Sequence, residues 1–215
     1  MKDPTDRIKA PSIGPKAPRA LGRAEYRRLL CAANRGRHAE RNVLMLRLMG
    51  ESGLRDGTLV RLRVGDLFLD GNGAGWINLS RDKGNHQGRA IILPAVRVAV
   101  RKFLAHEGLT HRLDAYIFHR PREFHRHITS RQVHKIFAQA AHLAGLDTGP
   151  SVPTPHSLRH MFGYERKDEG NRLDDIQRLM NHAWLSTTLR YTMTPDAVLR
   201  VKVVRALRRA REVAE

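Results

Sequence analysis

Apolar residues recur at a helical spacing along most of the chain. From Leu21 onward, Tyr26, Leu29, Leu30 and Ala33 fall on one face of a predicted helix. The same periodicity, bounded by proline and capping residues, predicts further helices over residues 39–49, 94–106, 130–145, 155–169, 173–181, 184–192 and 196–212. The chain is therefore predicted to be mostly helical.

The periodicity changes in the middle of the chain. The segments GWINLS (75–80) and RAIILP (89–94) predict two strands, and the Gly-rich stretch between them predicts a hairpin. AYIF (115–118) predicts a short third strand, and residues 53–67 predict a loop followed by a helix of about two turns. The predicted fold class is α+β, a mostly helical domain with one small antiparallel β-sheet.

The charge balance favours a polyanionic partner. Lysine and arginine number 39 against 21 acids, a formal net charge of +18, and arginine supplies most of the excess. Arginine matches phosphate oxygens in a bidentate geometry, so nucleic acid is the first candidate, with a ribosome-bound or merely basic protein as the alternative. No apolar run approaches the ~18 residues that cross a bilayer. The single cysteine, Cys31, cannot form an internal disulfide, which favours a reducing intracellular setting.

The densest chemical pattern lies between residues 156 and 193. His156 and Arg159 are three apart and share one face of a predicted helix, where the pair could bind two oxygens of one phosphate. His182 and Tyr191 follow, nine residues apart. Any one of these residues alone is more often structural than functional. Their order and spacing together carry the argument.

This ordered set resembles the catalytic region of the tyrosine recombinases, the phage-integrase family. The family's H-x-L-R-H appears as HSLRH at 156–160, and its L-G-H-x-x-x-x-T-T-x-x-Y appears as LMNHAWLSTTLRY at 179–191. An earlier family pattern, T-G-L-R-x-x-E-L, matches SGLRDGTL and places the first arginine at Arg55. The family's hairpin lysine matches Lys83, the only lysine between residues 17 and 101.

The resemblance implies six catalytic residues: Arg55, Lys83, His156, Arg159, His182 and Tyr191. Tyr191 would attack a DNA phosphate and form a 3′-phosphotyrosine link, and Arg55 and Arg159 would neutralise the non-bridging oxygens. His156 would act as general base, Lys83 as general acid, and His182 would hydrogen-bond the phosphate.

The expected DNA contacts come from Arg55, Arg159 and the hairpin residues Arg81, Lys83 and Arg89. Neither a metal nor a cofactor is expected, because permanently charged arginines can take the place of metal ions.

Two positions depart from the family pattern. Thr58 stands where an acid is usual, and Asp56 is expected to point elsewhere; Asn181 replaces the glycine before His182. We interpret the chain as a divergent but catalytically active member of the family. It would be a site-specific recombinase of the integrase or invertase type, encoded by a mobile element. A type IB topoisomerase and a catalytically decayed DNA-binding protein remain alternatives.

The resemblance also implies a domain organisation. Residues 1–20 carry four prolines and predict a flexible basic arm, and residues 21–215 would form the catalytic domain. The usual N-terminal core-binding domain has no counterpart, as in the short fimbrial phase-switch invertases; a truncated chain fits equally well. The expected partners are double-stranded DNA and further copies of this chain. The copies are expected to form a dimer or tetramer on DNA and to exchange their C-terminal segments. A cytoplasmic, nucleoid-associated bacterial location follows.

Other chemical residues receive structural interpretations. The stretch HRPREFHRH (119–127) is predicted to be a basic loop, and its three histidines lack the cysteine or HExxH partners of a zinc site. Trp76 and Trp184 are predicted to be packing residues. Tyrosines 26, 116 and 164 lack the family spacing and are predicted to be structural.

Overall fold

The computed structural model describes residues 19–36, 38–71, 73–79, 88–148 and 151–180. Most of the predicted N-terminal arm, the centre of the predicted hairpin (80–87), and the predicted helices over 184–192 and 196–212 lie outside the described residues. The predicted domain boundaries therefore remain predictions.

Seven helices occupy the described part of the chain: α1 (Arg23–Ala33), α2 (Ala39–Glu51), α3 (Asp56–Val60), α4 (Pro94–His106), α5 (Ser130–Leu143), α6 (Pro155–Asp168) and α7 (Leu173–Leu179). Five of the seven match predicted ranges closely at their start because proline or a capping residue marks the helix start or the apolar period is strong. The helix α3 has five residues rather than two turns, and a single 3₁₀ turn, Val64–Asp66, follows it. None of the described helices is long and apolar enough to cross a membrane.

The predicted hairpin strands pair as expected. β2 (Gly75–Asn78) and β3 (Arg89–Ile92) are antiparallel, and a two-residue strand β1 (Leu67–Phe68) pairs with the other edge of β2. The α+β fold class is thereby confirmed: a mostly helical domain with small antiparallel sheets. Trp76 on β2 departs from its predicted packing role, because it is 42% exposed beside Phe68, which is 57% exposed.

Two sequence predictions around residues 115–127 are wrong. AYIF forms no strand; Tyr116 makes one isolated bridge with Arg63. The predicted loop over 119–127 is instead a hairpin of β4 (His119–Arg120) and β5 (Glu123–His127), a second small sheet. Polar side chains give this hairpin no apolar alternation, so the sequence pattern offered no strand signal.

The core has two parts. The larger part joins α1, α2, α4 and α5 to the buried face of the three-stranded sheet, with Leu29, Met45 and Phe137 among its fully buried side chains. The smaller part contains Phe162 of α6, together with Ile176 and Met180 of the α7 region, and Ile91 of β3 packs against it. The segment around α7 is therefore held between α6 and the hairpin strand.

Candidate active site

Arg159 is the buried centre of the candidate site. It lies in the middle of α6 with 3% of its surface exposed, and its guanidinium donates from Nη1 to the carbonyl of Gly53 and from Nη2 to the carbonyl of Met180. Burying a cation is costly unless hydrogen bonds surround it. These bonds join the α2–α3 turn to the end of α7 across one side chain.

The helix α6 carries two of the predicted catalytic residues, His156 and Arg159, which differ in their exposure to solvent. Thr154 precedes the helix and its N–H donates to Ser157 Oγ at 3.1 Å, while Pro155 occupies the first turn. His156 is exposed, one turn before the buried Arg159. The His156 ring meets the ring of His160 edge-on, with 4.7 Å between centroids. The predicted general base is thus accessible to a substrate, on the helix that carries Arg159.

A glycine sets the approach to Arg55. Gly53 follows the end of α2 with a φ of +68°, and a Cβ there would lie 2.8 Å from Phe162 Cδ1. Only glycine satisfies both the backbone conformation and this close approach. Arg55 comes two residues later as the half-buried residue preceding α3. The carbonyl of Gly53 that Arg159 binds therefore lies two residues before Arg55, so Arg159 contacts the turn that leads to Arg55.

The first turn of α3 also contacts α5. Asp56 Oδ2 lies 3.1 Å from Nε2 of His134, so the Asp56 side chain contacts α5. Thr58, in place of the usual acid, is buried with 8% exposure. A hydroxyl is much less costly to bury than a carboxylate, which suits this departure from the family pattern.

The end of α7 leads to the remaining predicted residues. Met180, whose carbonyl Arg159 binds, precedes His182 by two residues in the sequence. Arg89 is exposed at the start of β3, where it is the register partner of Asn78. Four predicted site residues lie outside the described residues, and their roles stay predictions: Arg81, Lys83, His182 and Tyr191.

The three described tyrosines have structural surroundings. Tyr26 donates to Glu51 Oε1 at 2.9 Å, and burial followed by the charge of Glu51 raises the pKa of the Tyr26 phenol. The hydroxyl of Tyr116 accepts a hydrogen bond from Arg63 at 3.3 Å. The guanidinium of Arg63 also lies over the Tyr116 ring. Burial raises the pKa of Tyr164. Tyr191, the nucleophile that the family resemblance implies, is the fourth tyrosine of the chain and lies outside the described residues.

Two histidines of the β4–β5 hairpin lie close to carboxylates of other segments. His119 Nε2 lies 3.7 Å from Glu107 Oε2, and His125 Nδ1 lies 3.3 Å from Asp114 Oδ2. No group of three His, Cys, Asp or Glu side chains in the described part of the chain is arranged to hold a metal ion.

Sequence reasoning missed the parts of the site that are made of backbone. Every residue has a backbone carbonyl, so the sequence does not mark those of Gly53 and Met180 as hydrogen-bond acceptors for Arg159. Gly53 itself had a signal, because glycine just past the end of a helix commonly adopts a positive φ. The contact of Asp56 with His134 joins residues 78 apart and has no local signal.

Comparisons with known proteins agree with the geometry. A family model described as "Phage integrase family" matches residues 19–197. The tyrosine recombinase XerD of Caulobacter vibrioides is 32% identical over 195 residues, which cover 88% of this chain and 62% of that protein. The tyrosine recombinase XerA of Thermococcus kodakarensis is 30% identical over 216 residues, covering 100% and 69%. The chain thus spans 62% and 69% of the length of these two relatives.

Solved structures share the fold. The crystal structure of XerA recombinase superimposes with a TM-score of 0.73 at 24% identity, covering 90% of this chain and 66% of that one. XerH site-specific recombinase, in a pre-cleavage complex with its difH substrate, gives a TM-score of 0.70 at 20% identity, covering 94% and 59%. At these identities the likeness concerns the fold alone.

Proposed function

The chain belongs to the phage integrase family, and from that premise we propose that it is a site-specific DNA recombinase that cleaves and rejoins DNA through a 3′-phosphotyrosine intermediate. One observation carries the proposal: the buried Arg159 binds the carbonyls of Gly53 and Met180. These carbonyls lie two residues before Arg55 and two residues before His182. The described geometry thus supports an arginine-based phosphate site.

The proposed reaction begins with the Tyr191 hydroxyl. Its oxygen attacks the scissile phosphorus and gives its proton to His156, which is exposed at the start of α6. The bond from phosphorus to the 5′-oxygen breaks, and the leaving 5′-oxygen takes a proton from Lys83. The phosphate stays bonded to the DNA 3′-oxygen and is now bonded to the Tyr191 oxygen as well, which is the 3′-phosphotyrosine link. Attack by a 5′-hydroxyl on this link reverses the steps and rejoins DNA without ATP.

The arginines answer the main electrostatic difficulty. A phosphodiester is negatively charged, and attack adds negative charge to its non-bridging oxygens. Arg55 and Arg159 would stabilise this charge at fixed positions, which lowers the barrier most when the donors are held before the reaction. Arg159 is held by two carbonyls, so its orientation is set before DNA arrives.

The proposed partners are double-stranded DNA and further copies of the chain. The formal charge of +18 supports attraction to duplex DNA. Fold neighbours are described as XerH bound to difH substrate and as a lambda integrase dimer bound to a core site. We propose by analogy that this chain acts as a dimer or tetramer on paired sites.

A trapping experiment tests the proposal. The chain is incubated, in excess EDTA, with a pool of duplexes of random sequence, each nicked so that the cleaved fragment diffuses away. We expect an SDS-resistant protein–DNA adduct from the unaltered chain and none from Tyr191→Phe. Adduct formed by Tyr191→Phe would contradict the nucleophile assignment. Adduct that requires added magnesium would contradict the arginine-based mechanism.

The trapped DNA distinguishes the remaining functions. Enrichment of one sequence, with strand exchange between two copies of it, is the expected result for a recombinase. Adduct and supercoil relaxation without sequence preference would indicate a type IB topoisomerase. DNA binding without any adduct would indicate a decayed DNA-binding relative.

A further inference from the structure

The three-stranded sheet has an exposed aromatic row on its outer face. Its inner face is buried, with Ile77, Ala90 and Ile92 at 1% exposure or less. On the outer face, Phe68 and Trp76 are register partners across β1 and β2, and Trp76 is the partner of Ile91 across β2 and β3. Exposed tryptophan beside exposed phenylalanine is uncommon on a surface that needs no partner.

On the same outer face, the next row of side chains, nearer to the hairpin turn, is polar. Asn78 and Arg89 are register partners two residues along their strands from Trp76 and Ile91, which places the rows about 7 Å apart. Arg89 is exposed. None of the five outward residues of these strands is acidic. The outer face thus combines one exposed cation with an apolar aromatic row.

This outer face borders the candidate site. Ile91, in the aromatic row, packs against the cluster formed by Phe162, Ile176 and Met180. Met180 is the residue whose carbonyl Arg159 binds. In the sequence, Lys83 lies between the ends of β2 and β3. A DNA strand held at Arg159 therefore has this face beside it.

We propose that the outer face formed by Phe68, Trp76 and Arg89 binds the DNA backbone next to the scissile phosphate. Arg89 contacts a phosphate, and the two aromatic rings pack on the apolar faces of neighbouring deoxyriboses. This inference rests on the proposed function, since it needs DNA at the candidate site. It assigns Trp76 a role in holding substrate, apart from the six residues that carry the chemistry.

DNA fits this face better than a second copy of the chain does. A stable protein interface buries about 800 Å² per partner and is centred on a cluster of apolar residues. Two exposed aromatic side chains offer much less. An exposed arginine one row away from aromatic rings suits a narrow, anionic polymer that alternates phosphate and sugar.

Salt-dependent binding separates the two kinds of contact. A labelled duplex of about 20 base pairs and random sequence is titrated by anisotropy at several salt concentrations. Trp76→Thr, which keeps a strand-forming residue, is expected to weaken binding about five-fold at every salt concentration, because an apolar contact releases no counterion. Arg89→Ala is expected to reduce the slope of log affinity against log salt by about one. Leu143→Ala, at an exposed apolar position on α5, is the matched control and leaves both quantities unchanged.

Fluorescence provides a direct readout that does not depend on an affinity change. The chain has two tryptophans, so Trp184→Phe leaves Trp76 as the only indole reporter. We expect duplex DNA to change the Trp76 emission and to protect it from acrylamide at the concentration where anisotropy shows binding. Circular dichroism of each variant checks that the sheet is retained.

The outcomes are distinct. Unchanged Trp76 emission under saturating DNA, or Trp76→Thr affinity within two-fold of the unaltered chain, overturns this inference and leaves the proposed function standing. Acrylamide protection that rises with protein concentration in the absence of DNA assigns the face to a second copy and also overturns it. Failure of the unaltered chain to bind duplex at low salt overturns the proposed function itself.

Discussion

Arg159 and Arg55 are assigned the same chemical task but occupy different environments. Arg159 is buried in α6 and bonded to carbonyls of two other segments. Arg55 is half-buried at the start of the five-residue helix α3, whose neighbouring Asp56 makes an exposed contact with His134. One arginine is part of the framework that shapes the site, whereas the other is displayed on that framework.

The difference separates stability from catalysis. A buried guanidinium that bonds two carbonyls contributes to folding, because its removal leaves buried acceptors without their donors. An arginine near the surface contributes little to folding, even where it is essential to a reaction. The two positions should therefore respond differently to substitution when unfolding and cleavage are measured together.

Arg159→Met is expected to have the largest effect on both properties. Loss of two charge-assisted hydrogen bonds to buried carbonyls should lower the free energy of unfolding by about 3 kcal/mol. Adduct formation should fall more than ~10²-fold as a donor to the phosphate is lost. Chemical denaturation and the nicked-duplex assay measure the two quantities. Arg159→Lys, which keeps the charge but cannot span both carbonyls, should restore neither fully; full stability in Arg159→Met would remove the framework role.

Gly53→Ala tests the turn that joins the two arginines. The substitution forces a Cβ to within 2.8 Å of Phe162 and places alanine at a φ of +68°, so we expect about 2–3 kcal/mol of destabilisation. Gly145→Ala is the matched control, with a φ of +64° and no atom within 4 Å of the added Cβ. The control should cost about 1 kcal/mol from backbone strain alone. Equal melting temperatures for the two variants would show that the contact with Phe162 is not tight.

Arg55→Ala should separate the two properties most cleanly. We expect adduct formation to slow about 10²-fold, because one donor to the transition state is lost. The free energy of unfolding should change by less than about 1 kcal/mol, since the residue is half-buried at the start of a short helix. A destabilisation as large as that of Arg159→Met would end the distinction between the two arginines.

Asp56→Asn is expected to have the smallest effect. Its contact with His134 joins partly exposed side chains at 3.1 Å, and such pairs contribute less than about 1 kcal/mol. Adduct formation should stay within a few-fold of the unaltered chain. His134→Ala, and the double variant that combines Asp56→Asn with His134→Ala, should have a free energy of unfolding similar to that of Asp56→Asn. Each of these variants removes the same contact. A loss of cleavage comparable with that of Arg55→Ala would show that Asp56 orients the arginine beside it.

Local sequence patterns predicted the helices and strands that are specified by residues close together in the chain. The apolar period of α1, α2 and α4, the proline at the start of α4 and the alternation in β2 and β3 are short-range signals, and the structure confirms these elements. The order of Arg55, His156 and Arg159 likewise indicated the family, which the family match confirms.

Elements that depend on distant partners could not be predicted in this way. The two-residue strand β1 pairs with β2, and Arg97 and Arg101 of α4 donate to the carbonyl of Leu69 just beyond it, at 3.4 and 2.6 Å. The hairpin of β4 and β5 has no apolar alternation and is accompanied by a contact between the rings of His119 and Phe124, 4.7 Å apart. Neither feature leaves a periodic trace in the sequence.

The sequence by itself determined which residue types are available for phosphate chemistry, their order, and the helices and hairpin that carry several of them. Only the tertiary structure decided that Arg159 is buried and bonded to Gly53 and Met180, and that Trp76 is exposed rather than packed. The physical reason is range. Helical period and turn chemistry act over a few residues, whereas the two carbonyl partners of Arg159 lie 106 and 21 residues away and come together only when the core packs.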